Sequence, residues 1–270
     1  MSERSFNLDG HTVIITGGAG LLGKEYAVKL AKAGASVVVA DRDGPGARET
    51  AERVPGGTAC SLELDVTDPL SVQAAVKETV RRFGRIDGLV NNAALDPKFD
   101  AEHSGRHSTA FEDYPLDSWN RELNVNITGM FLCTQAAGIR MLEQGKGSIV
   151  NISSTYGLVA PDQRLYEREE NAVPDYKPVT YSVTKSAVSG LTKYLAAYWG
   201  GKGIRVNTLS PGGVYNNHDE EFVRRYSLRT PLGRMARPEE LSGALIFLLS
   251  DASSYMTGAN LIVDGGWTAW

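Results

Sequence analysis

Tyr181 and Lys185 stand four positions apart in Tyr181-Ser182-Val183-Thr184-Lys185, at the start of a helical pattern that runs over about 179–199. Residues at i and i+4 share one helix face, so the spacing sets a phenol beside an ammonium. A free tyrosine, with a pKa of about 10, is a poor base at neutral pH. An ammonium within a few ångströms favours the phenolate and lowers that value, which makes the phenol a usable proton donor and acceptor. Ser154 ends the strand-like run Ile149-Val150-Asn151-Ile152-Ser153-Ser154, where a hydroxyl can stabilise a carbonyl oxygen as charge develops on it. Each feature also has a plainer explanation. Tyr181 and Lys185 can be two solvent-facing residues of one helix, and Ser154 can simply open a turn.

The glycines upstream separate these explanations. Gly18, Gly20 and Gly23 of Thr16-Gly17-Gly18-Ala19-Gly20-Leu21-Leu22-Gly23 satisfy GxGxxG, directly after the β-branched run His11–Thr16 and before a helical pattern. Strand, glycine turn and helix in that order form the context that makes the motif meaningful. Glycine lets the backbone approach a pyrophosphate, and the helix N-terminus offers free N–H groups and partial positive charge. The alternative is a glycine-rich structural turn. Asp41 ends the second strand, about 20 residues further on, where a carboxylate accepts both ribose hydroxyls of an adenosine and repels a 2′-phosphate. That favours NAD over NADP, although Arg42 is the type of neighbour that holds such a phosphate, and Asp41 can also be read as a helix N-cap.

The elements that must position these residues alternate from end to end. Strand patterns fall at His11–Thr16, Ser36–Ala40, Thr58–Leu64, Ile86–Val90, Ser148–Ile152, Ile204–Leu209 and Leu261–Val263. Helical patterns fill about 20–33, 44–53, 68–83, 115–143, 179–199 and 238–250, with Pro69, Pro115 and Pro238 where a first helical turn tolerates proline. Apolar strands without polar alternation imply a parallel sheet covered on both faces. Alternation of β and α implies one doubly wound α/β domain over residues 1–270. Three long stretches, 95–113, 155–178 and 210–236, read as loops after the fourth, fifth and sixth strands. Open α/β sheets bind ligands at that end of their strands.

Composition narrows the classes. The chain is 42% hydrophobic and 22% charged with a net charge of −4, which gives no electrostatic case for a nucleic-acid partner. Cys60 and Cys133 have no CxxC spacing and read as reduced thiols. MSERSFNLDG is no signal peptide, and no apolar run is long enough for a membrane span, so a cytoplasmic location is expected. His103 and His107 have HxxxH spacing but no obvious third ligand, and no metal site is expected.

Taken together, TGGAGLLG at 16–23, Asp65-Val66, Asn91-Asn92-Ala93, Asn126 before Gly129, Ser154, YSVTK at 181–185 and Pro211-Gly212 resemble the short-chain dehydrogenase/reductase family over nearly the whole chain. The resemblance implies a single Rossmann-like domain with a seven-stranded parallel sheet. It implies Tyr181 as general acid/base, Lys185 as the group that lowers its pKa and holds the nicotinamide ribose, Ser154 on the substrate oxygen and Asn126 anchoring a water in a proton relay. Cofactor contacts are implied at Gly17, Gly20, Leu22, Asp41, Arg42, Asp65, Val66, Asn92, Ala93, Pro211, Gly212 and Val214. A homo-oligomer, tetramer or dimer, is implied through the 115–143 and 179–199 helices and the C-terminal strand, with Trp267 and Trp270 packing in that interface or capping the core.

Ser154 and Tyr181 lie 27 positions apart, a longer gap than most relatives have, with the insertion at about 162–177. Residues 95–113 carry five acids against two bases and residues 162–177 five against three, together −5. An acidic mouth suits a neutral polyhydroxy or amino-bearing molecule, unless these charges are simply solvated. Residues 152–157, 165–167 and 210–213 look like a subgroup linked to bacterial surface-sugar pathways, some of whose members accompany flagellin-glycan or nonulosonate genes. The expected reaction is hydride transfer between NAD and a secondary alcohol or ketone of a sugar, amino sugar or polyol. The alternatives are a small non-sugar ketone or alcohol as substrate, or a silent nucleotide-binding regulator.

Overall fold

The strands are β1 Thr12–Thr16, β2 Ser36–Asp41, β3 Ala59–Glu63, β4 Gly88–Asn91, β5 Gly147–Ile152, β6 Ile204–Pro211 and β7 Asn260–Val263. All pair in parallel in the order β3-β2-β1-β4-β5-β6-β7. The computed structural model describes residues 6–96, 110–166 and 176–270. His103, His107 and most of both acidic insertions lie outside them.

Period-2 alternation feeds two cores from one sheet. Val13, Ile15, Val37, Val39, Val150 and Leu209 point to the face covered by helices α1 (Leu21–Lys32) and α8 (Ser242–Leu249). Ile14, Val38, Leu89, Ile149 and Val206 point to the face covered by α3 (Pro69–Phe83), α5 (Met130–Gln144) and α6 (Val179–Trp199). Each fully buried Val, Leu or Ile contributes about 1.5–3 kcal/mol, so the two faces together hold the strands in register. The architecture is the Rossmann-like, seven-stranded parallel fold that the sequence implies. Its chain order reverses between β1 and β4, which opens a crevice at the strands' carboxyl ends.

The remaining helices are α2 (Gly44–Glu52), α4 (Leu116–Leu123) and α7 (Glu220–Arg229). Two expectations are corrected here. The stretch 210–236 is not all loop, because α7 lies within it. Asp219 caps α7 by accepting from the Phe222 N–H at 2.8 Å, and Phe222 and Tyr226 form its buried side. Nor is 115–143 one continuous helix. A π-helical turn, Asn124–Gly129, separates α4 from α5. A Cβ on Gly129 would stand 2.6 Å from the Val66 side chain, so the turn can pack only on glycine. Such π turns often mark functional positions, and this one carries Asn126.

Candidate active site

A cleft of about 880 Å³ opens along the carboxyl ends of the strands. Every residue expected at the site lines it except Asn126: Gly17, Gly20, Leu22, Asp41, Arg42, Asp65, Val66, Asn92, Ala93, Ser154, Tyr181, Lys185, Pro211, Gly212 and Val214.

The β1 end of the cleft is a backbone cradle. Gly17 has φ +65°, and a Cβ there would meet the Ala93 Cα at 2.8 Å, so both conformation and space demand glycine. A Cβ on Gly23 would stand 2.2 Å from the Gly17 carbonyl, which is how α1 begins so close under the turn. The N-cap of α1 is Gly20, with no side-chain cap and no acid in the first turn, so the helix presents its amides and positive end to the cleft. Thr16, which the sequence reading passed over, ties the cradle to β4. Its hydroxyl accepts from the Asn92 and Ala93 N–H groups, both at 3.1 Å, and the Asn92 amide donates to the Thr16 and Gly17 carbonyls, both at 3.0 Å. The Asp41 carboxylate accepts from the Ala19 and Asp43 N–H groups, both at 2.9 Å. These bonds fix it at the edge of the cradle. Asp65 accepts twice from Thr67, and those bonds, helped by Arg42, hold its carboxyl below the usual range. Cradle, helix end and fixed carboxylate together fit a dinucleotide.

The β5 end holds the titratable groups. The Ser154 hydroxyl accepts from the Tyr156 N–H at 3.2 Å and stands close enough to the Tyr181 phenol to favour its phenolate. Lys185 is buried, donates to the Ile152 carbonyl at 3.0 Å and lies 5.8 Å from the Tyr181 ring centroid. Burial pushes its pKa down to about 8, with Asp96 opposing and Lys177 reinforcing the fall. The expected depression of the tyrosine is not what this geometry gives. Burial pushes the Tyr181 phenol up, Asp96 adds to the rise, and the Ser154 hydroxyl opposes it. Desolvation of the phenolate outweighs an ammonium at Lys185's distance.

Asn126 sits behind the cleft wall. Its amide accepts from the Leu95 N–H at 2.7 Å and donates to the Leu95 carbonyl at 3.1 Å and the Thr184 hydroxyl at 3.2 Å. It fastens the segment after β4 to α6. Nearby, Glu122 is buried and accepts from the Tyr114 hydroxyl at 2.6 Å and from Thr180. Burial raises its pKa.

Three further features escaped the sequence reading. Lys177 stacks its ammonium 3.8 Å from the Tyr181 ring centroid and bonds Asp96 at 2.6 Å. Tyr156, Tyr166, Phe222, Tyr226 and Trp267 form an aromatic wall beside Tyr181, with Trp267 stacked on Tyr226 at 4.3 Å. The 162–166 segment is tied to α7 by Arg225, which donates to the Arg164 carbonyl at 3.1 Å, and by the Arg229–Asp162 ion pair. Trp267 is buried in this aromatic cluster, whereas Trp270 is 82% exposed. Among the described residues, no group of three or more His, Cys, Asp or Glu converges as metal ligands, and no helix is long and apolar enough to cross a membrane.

A family model described as enoyl-(acyl carrier protein) reductase matches residues 18–268. The chain is 38% identical over 270 residues to the D-threitol dehydrogenase of Mycolicibacterium smegmatis, covering 97% of this chain and 95% of that one. It is 35% identical over 269 residues to the L-rhamnose 1-dehydrogenase (NAD(P)(+)) of a Sphingomonas species, covering 96% of each. Among solved structures, it resembles a gluconate 5-dehydrogenase from Burkholderia cenocepacia in complex with NADP and tartrate. That match has a TM-score of 0.86 and 34% identity, and covers 99% of this chain and 98% of the other.

Proposed function

The chain belongs to the short-chain dehydrogenase/reductase family, and we propose that this member is an NAD-dependent oxidoreductase interconverting a secondary alcohol and a ketone on a neutral polyol or sugar. One observation carries the reading: Tyr181, Ser154 and Lys185 line the same cleft as the Gly17 cradle and Asp41.

Bound NAD would supply the hydride acceptor, held by the Gly17–Gly23 turn, the uncapped end of α1, Asp41, Asn92 and Ala93, with Pro211, Gly212 and Val214 along the nicotinamide half. Every proton step belongs to the chain's own residues. In the reductive direction the Tyr181 phenol gives its proton to the ketone oxygen, and in the oxidative direction its phenolate takes the alcohol proton. Ser154, beside the phenol in the same cleft, holds the substrate oxygen within reach of it. Lys185 stabilises the phenolate form as it develops. Asn126 keeps Leu95 and Thr184 together behind α6, which steadies the helix that carries Tyr181 and Lys185.

Polyhydroxy substrates are supported by the names of the relatives, which act on D-threitol and L-rhamnose. The aromatic wall adds support, since its faces suit the C–H surface of a compact ring or short chain. The likeness of residues 152–157, 165–167 and 210–213 to surface-sugar enzymes supports sugars and amino sugars within that class. With either cofactor supplied, purified protein is expected to change nicotinamide absorbance with tetritols, deoxyhexoses or cyclic diols. Turnover confined to simple mono-alcohols and ketones would reassign the substrate.

NAD is favoured over NADP because the Asp41 carboxylate is fixed at the cradle's edge, where a 2′-phosphate would meet its charge. Relatives have been solved with NADP, so the preference rests on this residue. Asp41→Ala is expected to lower kcat/KM for NAD by about 10- to 100-fold, the worth of a charge-assisted bond pair, and to raise it for NADP, with Arg42 then free to meet the phosphate. Unchanged cofactor preference in steady-state kinetics would remove Asp41 from this role.

Assembly of copies through α5 and α6 is supported by their exposed apolar residues, Phe131, Ile139, Tyr194 and Tyr198. The last two stack at 5.9 Å.

A further inference from the structure

We propose that Asp96 and Lys177 form a recognition pair for a second hydroxyl of the substrate, on a carbon close to the one oxidised, and so set the preference for polyols over mono-alcohols. The inference rests on the reading of Tyr181 as the acid/base.

The pair is built into the cleft. Lys177 Nζ donates to Asp96 Oδ2 at 2.6 Å, and both residues line the same cavity as Tyr181 and Ser154. The lysine side chain is only 6% exposed and the aspartate 22%. Burying such a pair is a weak source of stability, since the desolvation of two charges offsets most of their attraction. A pair kept at this depth beside the reacting phenol therefore calls for a use other than folding.

Its unfilled valences describe that use. Asp96 Oδ1 is shielded from water and has no hydrogen-bond partner among the described residues. A carboxylate turns easily about its Cβ–Cγ bond, and Asp96 lines the cleft with its side chain partly exposed, so either oxygen can be offered to a ligand. The Lys177 ammonium has three donors, and Asp96 is its one hydrogen-bond acceptor among the described residues. One acceptor and one donor side by side match a hydroxyl, which gives a hydrogen bond to Asp96 and takes one from Lys177. As a unit the pair is neutral, so it suits an uncharged group. A substrate carboxylate there would compete with Asp96 for the lysine and be repelled by it.

The distance fixes which hydroxyl is read. Lys177 Nζ lies 3.8 Å from the centre of the Tyr181 ring, so a hydroxyl held by the pair belongs to a carbon adjacent to the reacting carbinol or next to it. Asp96 stands near the start of the first insertion and Lys177 at the end of the second, so the described ends of the two long segments meet at this subsite.

The test compares 2,3-butanediol with 2-butanol, which share a carbon chain and differ by the second hydroxyl. Wild-type protein is expected to favour the diol in kcat/KM by about 10- to 100-fold, as one charge-assisted hydroxyl contact implies. The double variant Asp96→Leu/Lys177→Met removes both charges without stranding either and is expected to bring the ratio to near one. Asp96→Asn serves as a second variant and is expected to reduce the ratio in part. NAD binding, followed by fluorescence, reports folding in each. A wild-type ratio near one, or variants that slow both alcohols equally and leave the ratio intact, overturns the pair's role while the dehydrogenase reading stands. Failure of the wild type to oxidise any secondary alcohol overturns both.

Discussion

Tyr181→Phe is expected to lower kcat by about 10³-fold or more, toward the upper range of what a positioned acid/base contributes, while NAD binding stays close to wild type. The substitution removes one oxygen and keeps the ring. The ring's own neighbours therefore remain: the Lys177 ammonium over its face and Tyr156 edge-on at 6.4 Å. The neighbouring Ser154 hydroxyl stays bonded to the Tyr156 N–H. Nothing in the Gly17 cradle touches the phenol oxygen. Single-turnover kinetics and a NAD titration on one preparation separate the two effects. Turnover within tenfold of wild type would remove Tyr181 from the chemistry.

Lys185→Met has two expected signatures. Turnover falls by about 10²–10³-fold, the usual effect of losing one preorganised group that stabilises developing negative charge. The second signature lies in stability against pH. The lysine's pKa stands near 8 in the folded protein against an ordinary 10.5. Between those values the unfolded chain keeps a proton that the folded one has released, so stability rises with pH across that window. Below about pH 8 the full burial penalty, about 3 kcal/mol, applies. Methionine carries no such penalty but leaves the Ile152 carbonyl without its donor, which costs about 1–3 kcal/mol. The two nearly offset at neutral pH. The difference between wild type and variant should therefore grow in favour of the wild type as pH rises from 8 to 10, read by denaturant unfolding at each pH. A flat difference would mean that the buried ammonium does not titrate there.

The frame was legible because its signals are local. Seven short strand-like runs and the glycine turn announce a parallel sheet, and the structure moves the strand ends by only a few residues. The candidate trio of Tyr181, Lys185 and Ser154 was legible because i, i+4 spacing and a strand end suffice to define it. What escaped depends on contacts between segments distant in sequence. Phe222 and Tyr226 are the two buried side chains of an α7 whose other residues are mostly charged, too few to stand out as a periodic stripe. The π turn is set by Gly129 against Val66, 63 positions earlier in the chain. Thr16 looks like any strand threonine until β4 is paired beside it. Asp96 and Lys177 were visible only as members of two charge tallies, because 81 residues separate them. The direction of the Tyr181 shift was misjudged for the same reason: spacing reveals the nearest charge but not how thoroughly the ring is desolvated.

The ion pair that joins Asp96 of the first insertion to Lys177 of the second bears on how such an enzyme is retargeted. If the segment holding Asp96 were exchanged for that of a relative while the segment holding Lys177 stayed, a lone ammonium would be stranded under the reacting ring, and the reverse exchange would strand a lone carboxylate. Donor and recipient would have to trade both stretches at once. Variation at this mouth is thus expected to be inherited as a matched set, and libraries that randomise either stretch by itself should yield mostly inactive or poorly folded clones.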